Sequence, residues 1–384
     1  VVLLDFLRGR TSIKLGLLSV FLIWRGSCVF EFLNVRSRPL VGIDISSSAI
    51  KMLALSRTDG QYRVEAYGFQ LLPVHSIVDR SLSAIDKVAE TIRQVMEWSK
   101  FSSKYVALGV SGGAVITRVI QLNARYQSVQ LGEQIEAEAE RYFPFPFEEL
   151  YYDFEVIGPF ERNPEFSNVL LAAARVEVVD TRVLAVAEAG MKAVVIEIES
   201  MAVERAFAMV VNHLPAQGKE HHFALVDIGA TVTSIYIFRD LKIIYNREQA
   251  FGGKHLTDEI KRRYGLSAEE AVIAQNYGGL PEDYVTEVLT PFKETVIQQI
   301  ARALQIFSSS NEEVEVHYVV LAGGVSKLSG LETLVQSQLK IKSFVANPFI
   351  GIEIAEGVNK DALYEEAPGL LAACGLALRN FDDE

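Results

Sequence analysis

The sequence predicts an α/β protein made of two similar halves that face each other across a cleft. Three observations predict it. "VGIDISSSAIKMLALS" (41–56) runs from an apolar segment through an aspartate and a short hydroxyl-rich turn into a β-branched segment. "FALVDIGATVTSIYIFRDLKIIYNREQAFGG" (223–253) repeats that order, so Asp44 and Asp227 occupy equivalent places in two copies of one meander. "YVVLAGGVSKLSGLETLVQSQL" (318–339) then adds a buried strand, a Gly-Gly turn and a helix.

The elements follow in order. "PLVGIDI", "AIKMLALSR" and "YRVEAYGFQLLP" alternate apolar and polar residues and are joined by "SSS" and "TDGQ", which reads as an antiparallel meander. In "SAIDKVAETIRQVMEWSK" (83–100) the apolar positions are spaced three and four apart, as in an amphipathic helix. "YVALGV" and "AVITRVIQL" read as a further strand pair, "GEQIEAEAERYF" as an acidic helix and "LYYDFEVIG" as a strand. "NVLLAAARVEVV" reads as a buried strand, and "DTRVLAVAEAGM" as a helix with Asp180 as its N-cap. After "AVVIEIESMAVERAFAMVV" the polar loop "PAQGKEHH" marks a boundary before the second meander.

At 384 residues the chain exceeds one ordinary core, and 49% hydrophobic residues suffice to fill two. A net charge of −12 without a basic stripe excludes a nucleic-acid surface. Cys28 and Cys374 make no disulfide framework and stand in no metal-ligand spacing with histidine, which reads as a reduced cytoplasmic protein. "LGLLSVFLIW" (15–24) follows Arg8, Arg10 and Lys14 like a signal peptide, but it is about half a membrane span and Arg25 interrupts it. The first 37 residues therefore read as a leader, either translated upstream sequence or a membrane-associating segment, and are expected to be non-native or disordered.

The repeated aspartate turns carry the chemistry. Ser46, Ser47 and Ser48 in the first turn, and Gly229, Ala230, Thr231 and Thr233 in the second, let backbone N–H groups and hydroxyls approach an anion without bulk. Asp44 and Asp227 are badly placed for phosphate itself and suit Mg2+, held mostly through water. Gly252 and Gly253 open a helix, where Lys254 either reaches a phosphate or is a solvated surface residue. Gly323 and Gly324 let a flat ring or a phosphate approach the backbone, with Ser326 as the cap of an anion-friendly helix. No G-x-x-x-x-G-K-[ST] occurs, so this is not a P-loop protein.

In this order the motifs resemble the actin, Hsp70 and sugar-kinase ATPase fold. Asp44 to Ser48 resembles its first phosphate loop, Asp227 to Thr233 the second, "LAGGVSKLSG" the adenosine motif, and "IEIESMAVERAF" and "APGLLAACGLALR" the two connecting helices. Within that fold the chain is similar to the FtsA branch, in which a differently placed subdomain replaces the ordinary second one. More narrowly it resembles the PilM family of type IV pilus inner-membrane platform proteins, through "SRPLVGIDISSSAIKMLALS", "ERYFPFPFEELYYDFEVIG" and "VLLAAARVEVVDTR". The resemblance covers about 38–380. It implies a first-half core from 38–72 and 185–215 with 366–380 returning to it, a replacement subdomain over 73–184, and a second half over 216–365.

The resemblance further implies a cytoplasmic ATP- and Mg2+-binding scaffold with slow or absent hydrolysis. It would sit on the inner face of the inner membrane by holding the short N-terminal tail of a bitopic PilN-like partner, without direct insertion, and would touch pilus motor ATPases and the platform protein. Contact residues of the tail groove are not assigned. Glu199 falls where the first connecting helix carries a residue that orients water near the γ-phosphate; with Glu197 and Glu204 beside it, a solvated face is the alternative. "SAEEAVIAQNYGG" departs from the FtsA-like pattern, with Val272 and Gln275 about where a Glu and a Lys face adenosine. Two other classes remain open: a small-molecule kinase of this fold, which needs a catalytic base and polar substrate residues in the replacement subdomain, and an FtsA-like membrane polymer, which needs a basic amphipathic C-terminal helix where this sequence ends "ALRNFDDE".

Overall fold

The computed structural model describes residues 40–78, 81–126, 128–214, 221–310 and 314–381. The expected leader and most of the "PAQGKEHH" loop lie outside the described residues. The first meander is β1 (Val41–Ile45), β2 (Ala49–Thr58) and β3 (Gln61–Leu71). Asp59 and Gly60, at φ 51° and 79°, make the tight turn between β2 and β3, the Asp-Gly pair that matches the twist of a two-residue hairpin. A short hairpin, β4 (Ile77–Val78) and β5 (Ser81–Leu82), leads to α1 (Ile85–Ser99), which buries Val88, Ile92 and Val95. The strand β6 (Tyr105–Val110) follows.

The chain then leaves the first sheet. β7 (Val115–Asn123), α2 (Ser128–Ala137), α3 (Ala139–Tyr142), β8 (Leu150–Pro159) and β9 (Phe166–Arg175) build a separate three-stranded sheet in the order β7-β9-β8. Its own core joins Ile120, Leu122, Ile135, Tyr142, Phe143, Val169 and Leu171. The chain returns through α4 (Val176–Glu188), β10 (Lys192–Ile198) and α5 (Glu199–Val211).

The second half repeats the plan. It comprises β11 (Phe223–Ile228), β12 (Thr233–Arg239), β13 (Lys242–Gln249), α6 (Gly253–Tyr264) and α7 (Ala268–Tyr277). A π-helical turn (Val285–Leu289) runs into α8 (Thr290–Ser310), followed by β14 (Tyr318–Ala322), α9 (Leu331–Leu339) and β15 (Lys342–Val345). The ending is β16 (Glu353–Ile354), α10 (Lys360–Glu366) and α11 (Leu371–Leu378).

The two large sheets are ordered β10-β6-β1-β2-β3-β16 and β13-β12-β11-β14-β15. Apart from β16 they have one topology, an antiparallel meander whose first strand takes two parallel strands on its far side. The halves meet on α5 and α11. Gly375 of α11 crosses α5 so closely that a Cβ there would lie 1.7 Å from the Ala202 carbonyl oxygen. Arg205 of α5 donates to the Gly375 carbonyl at 2.9 Å while its guanidinium pairs with Glu197, 2% exposed, at 2.8 and 3.0 Å. One core runs through the junction, from Leu53, Phe207, Phe223 and Phe238 to Ala373 and Cys374.

Four local expectations are corrected. "YVALGV" and "AVITRVIQL" do not pair: β6 lies parallel between β1 and β10, and β7 pairs with β9. Residues 85–110, expected within the inserted subdomain, lie in or against the first sheet. The acidic helix breaks at Glu138, whose carboxylate accepts from the Tyr142 hydroxyl at 2.7 Å. Asp180 is inside α4, whose N-cap is Arg175; the Asp180 carboxylate accepts from the Tyr151 hydroxyl of β8 at 3.0 Å. Among the described residues no helix is long and apolar enough to cross a membrane.

Candidate functional site

Strand register sets the site. Across the first meander Asp44 lies opposite Lys51, and Lys51 opposite Phe69. Across the second, Asp227 lies opposite Ser234, and Ser234 opposite Glu248. These are the same row in two copies, and period-two alternation places each row on one face of its sheet. The first row differs from the second at two positions: Lys51 stands where the repeat has Ser234, and Phe69 where it has Glu248.

Lys51 is the functional candidate that motif reading missed. Its Nζ lies 2.9 Å from Asp44 Oδ2. Burial lowers the pKa of its ammonium, but Asp44, Asp227 and Glu199 together raise it by more, and the net shift is upward. The signal was present in the sequence: a three-residue turn after Ile45 puts position 51 opposite position 44.

Glu199 opens α5, and it is not on a solvated face. Burial, then the charges of Asp44 and Asp227, push its carboxyl up to about 8, with Lys51 opposing. Burial raises Asp227 to about 6, again against Lys51. Glu197 and Glu204 are likewise engaged. Glu197 holds Arg205, and Glu204 accepts from Lys242 Nζ and the Ile243 amide, both at 2.8 Å. Buried Arg182 of α4 also faces Glu199 and Asp44. The junction thus concentrates Asp44, Asp227, Glu199 and Glu248 around two cations, Lys51 and Arg182.

The loops divide into groups that face the cleft and groups that brace it. In the first turn the Ser46 amide and hydroxyl both donate to the Ala49 carbonyl, at 3.0 and 2.9 Å. Ser47 is exposed and Ser48 half-buried. In the second turn Thr233 donates to the Phe251 carbonyl at 2.8 Å, while Thr231 is exposed. The amides of Gly253 and Lys254 donate to the carbonyls of Gly229 and Ala230, at 3.0 and 2.8 Å. Gly252 is bare because a Cβ would stand 2.5 Å from the Gly229 oxygen. The start of α6 therefore buttresses the turn, and Lys254 Nζ pairs with Asp258 at 2.6 Å.

Gly323, at φ +79°, packs where a Cβ would lie 2.4 Å from Asp227 Oδ1. Gly324 opens onto free space. Ser326 is not the expected helix cap: it lies in a 3-10 turn, Gly324–Lys327, its hydroxyl donating to the Gly323 carbonyl at 2.7 Å, and Gly330 is the N-cap of α9. Lys327 bridges the halves, 2.8 Å from Glu366 and 5.9 Å from the centre of the Phe69 ring. Gln275, at the departure from the FtsA-like pattern, accepts from Thr257 of α6 at 3.0 Å. In the Pro-Phe-Pro-Phe stretch Phe147 packs on Tyr152, whereas Phe145 is exposed and faces the Arg175 guanidinium at 5.9 Å.

Two matching rows on one duplicated sheet topology, joined by crossing helices, are the architecture of actin-like ATPases. Residues 42–381 match the family model for the type IV pilus assembly protein PilM. The chain belongs to the PilM family. It is similar to the solved PilM-PilN type IV pilus biogenesis complex, with a TM-score of 0.74, 27% identity, and coverage of 90% of this chain and 99% of that one. The ethanolamine utilization protein EutJ from Carboxydothermus hydrogenoformans shares the fold at TM-score 0.51 and 16% identity, over 88% of this chain and 89% of that one. Cell division protein FtsA of Bacillus subtilis is 24% identical over 379 residues, 86% of this chain and 82% of that protein.

Proposed function

We propose that this chain is an ATP-binding scaffold of type IV pilus assembly. It holds the N-terminal tail of a PilN-like bitopic protein at the cytoplasmic face of the inner membrane and so links motor ATPases and the platform protein to the envelope. Membership of the PilM family and likeness to a PilM-PilN complex support the class. The observation that carries the nucleotide part is the meeting of the two aspartate rows over Glu199 and Lys51.

The residues present fit Mg-ATP. Burial lifts the carboxyls of Glu199 and Asp227, and that cost is removed when a divalent cation sits among them. Asp44 and Asp227 would hold the cation mostly through water. Ser47, Ser48, Thr231 and the Gly229–Ala230 turn would receive phosphates. Ser46, Thr233, Gly252 and Gly253 would hold those turns in shape, and Gly323, Gly324 and braced Ser326 would face adenosine. Lys254 would contact phosphate only after leaving Asp258, and Lys51 stands ready for the same charge. Mg2+ supplies charge neutralisation when bound.

Without a cation, Glu199 with its carboxyl near 8 holds a proton at neutral pH, and a bound divalent cation would favour its release. Nucleotide would serve as a clamp that sets the angle of the two halves, with slow or absent turnover. The kinase alternative lacks support in the inserted subdomain, whose core is apolar and aromatic. Liposomes bearing a lipid-anchored PilN N-terminal peptide test the partner reading. Flotation of the chain with that peptide, and not on bare liposomes, is the expected result; flotation on bare liposomes, or none with the peptide under Mg-ATP, contradicts it.

A further inference from the structure

Glu248 ends the second aspartate row on β13, yet its carboxylate reaches out of that half. The Gly113 amide, just after β6 in the first half, donates to Glu248 Oε1 at 3.0 Å. We propose that Glu248 is a positioning residue that latches the root of the inserted subdomain across the cleft onto the second half.

Chain order gives the contact its leverage. Gly113 lies in a 3-10 turn, Gly112–Ala114, and β7 starts at Val115. β7 pairs with β9 along its length, and β9 pairs with β8. A hold on Gly113 is therefore a hold on one corner of the three-stranded sheet. The neighbouring strand is fixed differently at the same end of the sheet: Ala174 of β9 lies opposite Val115, and β9 runs from Arg175 directly into α4, whose Val178, Val179, Ala185 and Val186 pack into the first-half core. The subdomain is thus tied to the first half through α4 and to the second half through Glu248.

The local geometry is built for a carboxylate. A Cβ at Gly112 would stand 3.1 Å from Glu248 Oε1, tighter than a carbon normally sits beside a neighbouring oxygen, so a side chain there would press the carboxylate away from the Gly113 amide. An ionised acceptor makes this a charge-assisted bond, stronger than a neutral one. Glu248 also shares its strand row with Asp227, so movement of the second sheet relative to the first moves the cleft carboxylate and the latch together. A change in the angle of the halves makes or breaks the bond and re-aims the three-stranded sheet. The latch itself does not depend on the nucleotide reading; only its coupling to Mg-ATP does.

Amide hydrogen exchange of the whole chain, read by mass spectrometry over 110–118 and 150–175, tests this. Without nucleotide, Glu248→Ala and Gly112→Ala are expected to speed exchange at Gly113 by about tenfold or more, the factor that loss of a charge-assisted bond produces. Glu248→Gln, which keeps an acceptor oxygen, is expected to restore most of the protection. Unchanged exchange in Glu248→Ala overturns the latch, and so does failure of the glutamine variant to rescue. In a second arm, with binding measured by calorimetry, saturating Mg-ATP changes exchange over 150–175 in the unaltered chain and not in Glu248→Ala. An equal response in both overturns the coupling. Absence of Mg-ATP binding to the unaltered chain refutes the nucleotide reading, and the first arm then decides the latch alone.

Discussion

Removing the proton-holding carboxyl of Glu199 should flatten the pH dependence of stability. Folded Glu199 titrates near 8 against an ordinary 4.5. Its folded value is the higher one, so between those limits the native state binds more protons than the unfolded chain, and stability falls as pH rises. At about 1.4 kcal/mol per pH unit, the loss across that window is on the order of 4–5 kcal/mol. For a chain of this size that corresponds to roughly 5–6 °C in Tm. The assay is thermal melting of EDTA-treated, nucleotide-free protein from pH 5 to 9. Glu199→Gln should melt near the unaltered protein at pH 5 and well above it at pH 8.5. Both curves keep the smaller decline that Asp227, titrating near 6, produces at lower pH. Parallel curves above pH 6.5 would refute the assignment of the buried proton to Glu199.

Three further outcomes follow from the packing. Gly375→Ala should destabilise by about 2 kcal/mol or more, because overpacking at the α5 crossing outweighs the gain of about 1 kcal/mol in helix propensity, whereas Gly369→Ala, which meets nothing within 4 Å, should melt within about 1 °C of the unaltered chain. Lys51→Met strips the carboxylates around it of a cation and should cost on the order of 3–5 kcal/mol at pH 7 by denaturant titration, with partial recovery at pH 5, where Asp227 is protonated as well as Glu199. Arg205→Ala leaves Glu197 buried without its bidentate partner and should cost about as much, with Arg205→Lys recovering only part because one ammonium cannot serve Glu197 and the Gly375 carbonyl together.

What was legible in the sequence was local and repeated. The aspartate turns, the meander that follows each, and the glycines of "LAGGV" declare themselves within ten residues, because turn chemistry and strand alternation act at short range. The place of β6 was not legible in the same way. A parallel strand pairs with partners far along the chain, and "YVALGV" carries the same apolar pattern whether its neighbour is β1 or β7. The start of α4 follows the same logic. Asp180 is a good cap by residue type, but the helix starts at Val176 because β9 runs straight into it. At the site, Asp44 was visible as a motif while Lys51 was visible only as a register position, and Ser326 took a carbonyl of its own turn instead of a helix end. Braced amides at Gly253 and Lys254 depend on how α6 stacks on Gly229 and Ala230, which no pattern along one strand encodes.

The most direct test of the central claim is isothermal calorimetry of Mg-ATP with the unaltered chain, Asp44→Asn and Asp227→Asn, each shown to be folded by its melting curve. Mg-ATP should bind the unaltered chain and bind each asparagine variant at least about tenfold more weakly, the loss expected when one carboxylate no longer faces the bound cation. Equal affinity in all three proteins, or no binding to the unaltered chain, would contradict a nucleotide held between the two aspartate rows.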